Sequence, residues 1–151
     1  MSIDDLYKEV ILDHYKSPRN KRDMPDAPLS CHRNNPLCGD EITVTASVVD
    51  GVVTDVAFQG QGCSISLASA SMMTEAVGGK SVEQALAVMD RFSSMMAGDS
   101  DPSEDEFGEL AALKGVVKYP VRVKCAMLAW DVLREALGGA GAAAGSQEHS
   151  L

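Results

Sequence analysis

The pattern of apolar and polar positions divides the chain into a leading helix, a short sheet and four further helical stretches. Residues 2–16 place Ile3, Leu6, Tyr7, Val10 and Ile11 at helical spacing. Ser2 can cap the start, with Asp4 and Asp5 in the first turn. Ser17-Pro18 ends it, because the residue before proline avoids the α region. His14 falls near the end of this stripe and reads as a packing or capping residue rather than a ligand. Residues 17–28 read as loop. A strand is expected from Leu29 to Asn34. Alternation along it sends Cys31 and His32 to opposite faces, which argues against a paired role for them.

The clearest alternation follows. Ile42, Val44, Ala46 and Val48 alternate with Thr43, Thr45 and Ser47. Asp50-Gly51 is a two-residue hairpin signal. Val52, Thr54, Val56 and Phe58 then alternate with Val53, Asp55, Ala57 and Gln59. The sheet is therefore antiparallel, with one buried face. A hairpin closed at one end by its turn brings its two outer ends together at the other.

Helical periodicity resumes from Ser64 to Val77 and stops at Gly78-Gly79. Ser66, Ala68, Ser69, Ala70 and Ser71 are small enough for close packing, and Met72 and Met73 suit a core. Ser81 to Ala97 forms the next helix, with Ser81 and Gln84 as a capping box. Val82, Ala85, Leu86, Met89, Phe92 and Met96 make its apolar stripe. The acidic stretch of Asp99, Asp101, Glu104, Asp105, Glu106 and Glu109 reads as solvated. Phe107, Leu110 and Leu113 predict a short helix within it, capped by Ser103 and Glu106. The last helix is expected from Pro120 to Leu137. Val121, Cys125, Leu128, Ala129, Val132 and Ala136 share a face, with Trp130 on a flank. Gly138 to Leu151 reads as a disordered Gly/Ala-rich tail, which leaves one domain over residues 1–137.

Composition narrows the class. A chain of 151 residues, 45% hydrophobic and 23% charged, suits one soluble domain with a real core. A net charge of −9 argues against nucleic-acid binding. There is no membrane-spanning run and no signal-peptide pattern, so the cytoplasm is the expected compartment. Cysteines there serve reactivity or metal binding more often than disulfides, and their spacing is not a CxxC repeat.

Three of the four cysteines occupy prepared settings. Cys38 lies in Asn35-Pro36-Leu37-Cys38-Gly39-Asp40, where Pro36 stiffens the approach and Gly39 lets the chain turn so that thiol and carboxylate can converge. Cys63 opens a helix within Gly60-Gln61-Gly62-Cys63-Ser64, and helix N-termini favour thiolate. Cys125 sits one turn into the last helix, on its buried stripe. Cys38, Asp40, Cys63 and Cys125 make a four-ligand set for a tetrahedral ion such as Zn²⁺. Three thiolates and a carboxylate leave a zinc site at about −2, and Arg122 and Lys124 stand beside Cys125 to offset it. Asp40 is the hard, weakly held ligand of the set, which suits a site whose shell changes in use. Cys38, on the glycine-flanked loop, is the ligand best placed to leave and react.

These motifs, together with Ile11-Leu12-Asp13-His14-Tyr15-Lys16-Ser17-Pro18-Arg19-Asn20, resemble the U-type iron–sulfur assembly proteins: IscU, the N-terminal domain of NifU, and SufU. The resemblance spans residues 1–137. Within that family the chain is similar to SufU, because Lys124 stands where IscU proteins carry histidine. The segment between Gly79-Lys80 and Tyr119-Pro120 is also longer than in IscU. The resemblance implies an α+β fold, with a three-stranded antiparallel sheet covered by helices. It implies Zn²⁺ held by Cys38, Asp40, Cys63 and Cys125. It implies that Cys38 accepts persulfide sulfur from a SufS-type, pyridoxal-phosphate cysteine desulfurase, with a partner residue filling the vacated zinc position. A SufBCD-type scaffold is a further implied partner, and nucleic acid and membrane are not. On this reading the chain is a sulfur acceptor and desulfurase activator rather than a stand-alone enzyme. Two alternatives stay open: a scaffold for a transient [2Fe–2S] cluster, and an interaction domain with a structural zinc.

Overall fold

The computed structural model describes residues 3–35, 39–102 and 107–145. The expected caps Ser2, Ser103 and Glu106 lie outside the described residues, as does Cys38. The described chain forms helix α1 (Ile3–Lys16), strands β1 (Leu29–Asn35), β2 (Asp40–Val49) and β3 (Val52–Gln61), and helices α2 (Ser64–Val77) and α3 (Val82–Met96). A 3₁₀ segment (Gly108–Val116) and helix α4 (Pro120–Gly145) complete it. The strands make one antiparallel sheet in the order β1-β2-β3, so the expected α+β class is observed.

The hairpin turn is where the sequence puts it. Asp50 and Gly51 both take positive φ, 51° and 77°, as a turn matched to the right-handed twist of its strands requires. Along β2, Ile42, Val44 and Ala46 are fully buried while Thr43, Thr45 and Ser47 are half-exposed. Along β3 the expected phase fails at one place. Ser47 pairs with Asp55 and Val48 with Val53, so Thr54 is an extra, unpaired residue. This bulge inverts the alternation: Val53 is buried and Thr54 exposed, whereas Thr54 was expected to share a face with Val56 and Phe58. The outer edge of β3 is covered by the loop after α1. Phe58 N–H donates to the Asn20 carbonyl at 3.0 Å, and Arg22 N–H donates to the Phe58 carbonyl at 3.1 Å. An edge paired in this way offers less template for another chain.

The helices pack on the sheet through one core that includes Phe58, Met73, Met89, Phe92, Leu113 and Leu133. Trp130 lies at its centre, not on a flank. Its ring stacks on Phe92 with centroids 4.2 Å apart. Its Nε1–H donates to Ser69 Oγ at 2.9 Å, and Ser69 in turn donates to the Ala126 carbonyl at 2.6 Å. A buried indole needs such a partner, and the small-residue face of α2 supplies it. The same bonds tie α2 to the turn of α4 that carries Cys125. The predicted capping box of α3 is present, with Ser81 and Gln84 bonded reciprocally.

Three expectations need correction. Val121 is 53% exposed rather than on the buried stripe, because the first turn of α4 projects past the core. The segment holding Leu110 and Leu113 (Gly108–Val116) is 3₁₀ rather than α, though both side chains, and that of Phe107 just before it, are buried. Helix α4 continues to Gly145, past the expected end at Leu137. The alanines at 140 and 142–144 favour helix strongly enough to carry the intervening glycines. Among the described residues no helix is long and apolar enough to cross a membrane.

The Trp130 arrangement generates a stability prediction. Trp130→Ala should lower unfolding free energy by about 3–5 kcal/mol, the range for emptying a large aromatic site. Urea denaturation followed by circular dichroism measures it. A loss below about 1 kcal/mol would show that the indole does not anchor α2 to α4.

Candidate metal centre

Asp40 opens β2, and Glu41 beside it pairs with Gln61 at the end of β3 remote from the turn. Two residues beyond Gln61, Cys63 is the N-cap of α2, and its Sγ accepts from Ser66 N–H at 3.5 Å. Strand pairing and the helix start thus meet at one point. Asp40 is fully buried there. Its Oδ1 accepts from Cys63 N–H at 2.9 Å, and its Oδ2 lies 3.8 Å from Cys63 Sγ. The backbone bond occupies one oxygen and turns the other toward the thiol. Ser66, also buried, donates its hydroxyl to the Cys63 carbonyl at 3.0 Å and sets the first turn of the helix. Gly62 makes this approach possible: a Cβ there would lie 2.8 Å from the Asp40 carboxyl carbon and 2.6 Å from Ser66 Oγ. Glycine is the residue for so close an approach.

Cys125 reaches the same point from α4 and is fully buried. Ligand atoms of Asp40, Cys63 and Cys125 all lie within 4.8 Å of one another. A tetrahedral ion with metal–sulfur bonds of about 2.3 Å and a metal–oxygen bond of about 2.1 Å needs sulfur and oxygen about 3.6 Å apart. The observed 3.8 Å between Cys63 Sγ and Asp40 Oδ2 fits with little movement. The donor set fits as well, since two thiols and a carboxylate suit a borderline-soft divalent cation. A buried carboxylate facing two thiols also stands to gain from a cation among them.

The other expected residues fall as follows. Cys38 lies outside the described residues, two positions along the chain from Asp40. Gly39 has φ 74° and donates its N–H to the Asn35 carbonyl at 2.9 Å, closing the turn that leads into β2. A side chain is strained at that φ, which accounts for the glycine beside the site. Arg122 and Lys124 are exposed on the first turns of α4. Cys31 belongs to a different environment. It is half-buried against the core, and burial together with a hydrogen bond to Glu135 pushes its thiol pKa up. That makes it a poor nucleophile. His32 is exposed on the opposite face and bonds Thr43 Oγ1 at 2.8 Å.

The sequence singled out Gly62 and Ser66 only as parts of motifs, and their contacts at the site were not legible. One further group is new. His14 is fully buried and touches Ser71 and Glu109, which lie far from it in the chain. Local periodicity holds no signal for a contact at that range.

Comparison with known proteins places this geometry in a family. The model of the NifU-like N-terminal domain matches residues 6–126. The zinc-dependent sulfurtransferase SufU of Bacillus subtilis is 47% identical over 134 residues, covering 89% of this chain and 90% of that protein. The iron–sulfur cluster assembly scaffold protein IscU of Streptococcus pyogenes is also 47% identical, over 132 residues, covering 87% of this chain and 82% of that one. The crystal structure of a SufU from Fervidobacterium islandicum superposes with a TM-score of 0.81 at 34% identity, covering 90% of this chain and 99% of that one. With the sheet, the helices and the Asp40–Cys63–Cys125 convergence already in place, the chain belongs to the NifU-like N-terminal domain family.

Proposed function

We propose that this chain is an iron–sulfur cluster assembly protein that accepts persulfide sulfur on Cys38, with Zn²⁺ held by Cys38, Asp40, Cys63 and Cys125. The observation that carries this reading is the convergence of Asp40, Cys63 and Cys125, whose ligand atoms lie within 4.8 Å of one another. Cys38 is two positions from Asp40 in the chain, and covalent geometry limits their Cα separation to about 7 Å, which is the sequence-level support for it as the fourth donor. The zinc-dependent sulfurtransferase relative from Bacillus subtilis supports both the metal and the activity.

Bound zinc would hold the thiols as thiolates, ready to react and shielded from oxidation. The chain's own groups do the rest. Cys63 N–H fixes Asp40 Oδ1, so the carboxylate presents a single oxygen to the centre. Ser66 N–H donates to Cys63 Sγ at 3.5 Å and fixes the direction of the thiol at the start of α2. With two ligands so anchored and Cys125 fully buried, Cys38 is the donor free to leave. In the transfer, the Cys38 thiolate attacks the terminal sulfur of a donor cysteine persulfide. The donor's S–S bond breaks as a new S–S bond forms on Cys38, and the donor departs as a thiolate. No outside oxidant or reductant is needed. The donor is a pyridoxal-phosphate cysteine desulfurase of the SufS type, and a SufBCD-type scaffold is the downstream acceptor.

A second reading is the scaffold role, favoured by the equally similar IscU from Streptococcus pyogenes. It requires a [2Fe–2S] cluster on the same ligands. Lys124, in place of the histidine that the resemblance would supply for IscU, is the feature that ranks it second.

Three experiments test these readings. Cys38→Ala should abolish stimulation of the desulfurase while leaving the fold intact, and full stimulation by that variant would overturn sulfur acceptance. Anaerobic loading with iron and sulfide should then give no cluster that passes to an apo-ferredoxin; efficient passage would favour the scaffold. Asp40→Ala should lower the rate of sulfur transfer as well as metal retention. A change in melting temperature alone, at unchanged transfer rate, would leave only a structural metal.

A further inference from the structure

Away from the Asp40–Cys63–Cys125 centre, a second group of ligand atoms converges where α1, α2 and the 3₁₀ segment meet. His14 is fully buried on α1. Its Nε2 lies 2.8 Å from Glu109 Oε1 and 4.0 Å from Glu75 Oε1. Ligand atoms of the three residues lie within 4.8 Å of one another. We propose that His14, Glu75 and Glu109 form a second divalent-cation site, of the Mn²⁺, Fe²⁺ or Zn²⁺ class, that is independent of the cysteine centre.

Three features support a cation there. The first is orientation of the imidazole. Nδ1 lies 2.7 Å from Ser71 Oγ, and Ser71 Oγ also accepts from Arg19 N–H at 2.8 Å. A hydroxyl on Nδ1 fixes the ring and leaves Nε2 as the outward nitrogen, the usual support for a metal-binding histidine. The second is adaptability. Both glutamate side chains are about half-exposed, 48% and 55%, so their carboxylates can move the short distance to bonding reach. An octahedral ion with bonds of about 2.1 Å needs neighbouring donors about 3 Å apart, and the His14–Glu109 spacing already meets that. The third is room. A cavity walled by Met72, Ala76, Phe107 and Leu110 opens at Glu75 and Glu109, leaving space for the waters that complete such a shell.

One imidazole and two carboxylates suit the harder divalent metals better than the thiolate centre does, so the two sites would sort ions by donor chemistry. Arg19 is the resident competitor. Its Nε lies 4.0 Å from Glu75, while its Nη2 bonds Asp13 at 2.7 Å. A cation must share Glu75 with that guanidinium, which points to modest affinity.

The test is Mn²⁺ binding by electron paramagnetic resonance on the full chain as isolated, with Glu75→Gln, Glu109→Gln and Cys63→Ser alongside. Glu75→Gln keeps the shorter His14–Glu109 bond, so it should keep its melting temperature. The expected result is one saturable Mn²⁺ per chain in the unaltered protein and in Cys63→Ser. Binding should weaken at least about tenfold in Glu75→Gln and Glu109→Gln, as loss of one carboxylate ligand from a three-ligand site implies. No saturable Mn²⁺ in the unaltered protein would overturn the proposal. Equal binding by the Glu75→Gln variant would overturn it too. Loss of Mn²⁺ in Cys63→Ser would assign the ion to the cysteine centre and overturn it as well. None of these outcomes bears on sulfur acceptance by Cys38.

Discussion

The hydrogen bond from Cys63 N–H to Asp40 Oδ1 joins the sheet, the start of α2 and the metal centre. It exists because β2 and β3 pair antiparallel up to Glu41 and Gln61. That pairing places the first residue of β2 beside the residues that follow β3. The bond satisfies one of the free N–H groups at a helix start and uses a fully buried carboxylate to do it. The carboxylate's other oxygen, Oδ2, lies 3.8 Å from Cys63 Sγ. Cys63 Sγ faces that oxygen, so the contact that closes the fold also builds half the site.

The other half depends on α4. Cys125 is useful only if α4 lies at a fixed depth against α2. Ser69 and Trp130 set that depth through two buried hydrogen bonds, one of them to the carbonyl of Ala126, next to Cys125. The small side chains of α2 allow the approach, and the stacking of Trp130 on Phe92 resists sliding. Packing away from the candidate metal centre thereby sets the position of Cys125 within it. Two ligands and the fixed oxygen of a third sit on regular elements or their caps. Cys38, the proposed fourth donor, lies outside the described residues, next in the chain to the left-handed Gly39. On the proposed function, rigidly held donors keep the ion while that one sulfur is released.

Much of this was legible in the chain, for local reasons. Asp50-Gly51, the Ser81–Gln84 box and Gly78 each carry turn or cap chemistry that acts within four residues. The hairpin then follows from period-two alternation, and the meeting of residues 40 and 63 follows from the hairpin. The end of α4 was missed for a local reason, the helix propensity of the alanines beyond Leu137; the failures that follow are non-local. Thr54 looks like a strand residue, and only its pairing with β2 makes it a bulge. Val121 fits the stripe of α4, but nothing in the sequence says where the core stops. Trp130 looked peripheral because its partner Ser69 lies on another helix, and periodicity does not identify the partner. Glu109 read as one more solvated acid, although it receives a bond from a buried histidine 95 positions earlier.

The central claim is that one cation gathers sulfur from residues 38, 63 and 125 and oxygen from residue 40. X-ray absorption at the zinc edge of the purified, unaltered protein tests it most directly. The account predicts three sulfur scatterers at about 2.3 Å and one oxygen at about 2.0–2.2 Å. A shell of only nitrogen and oxygen, or the absence of bound metal at the cysteines, would contradict it.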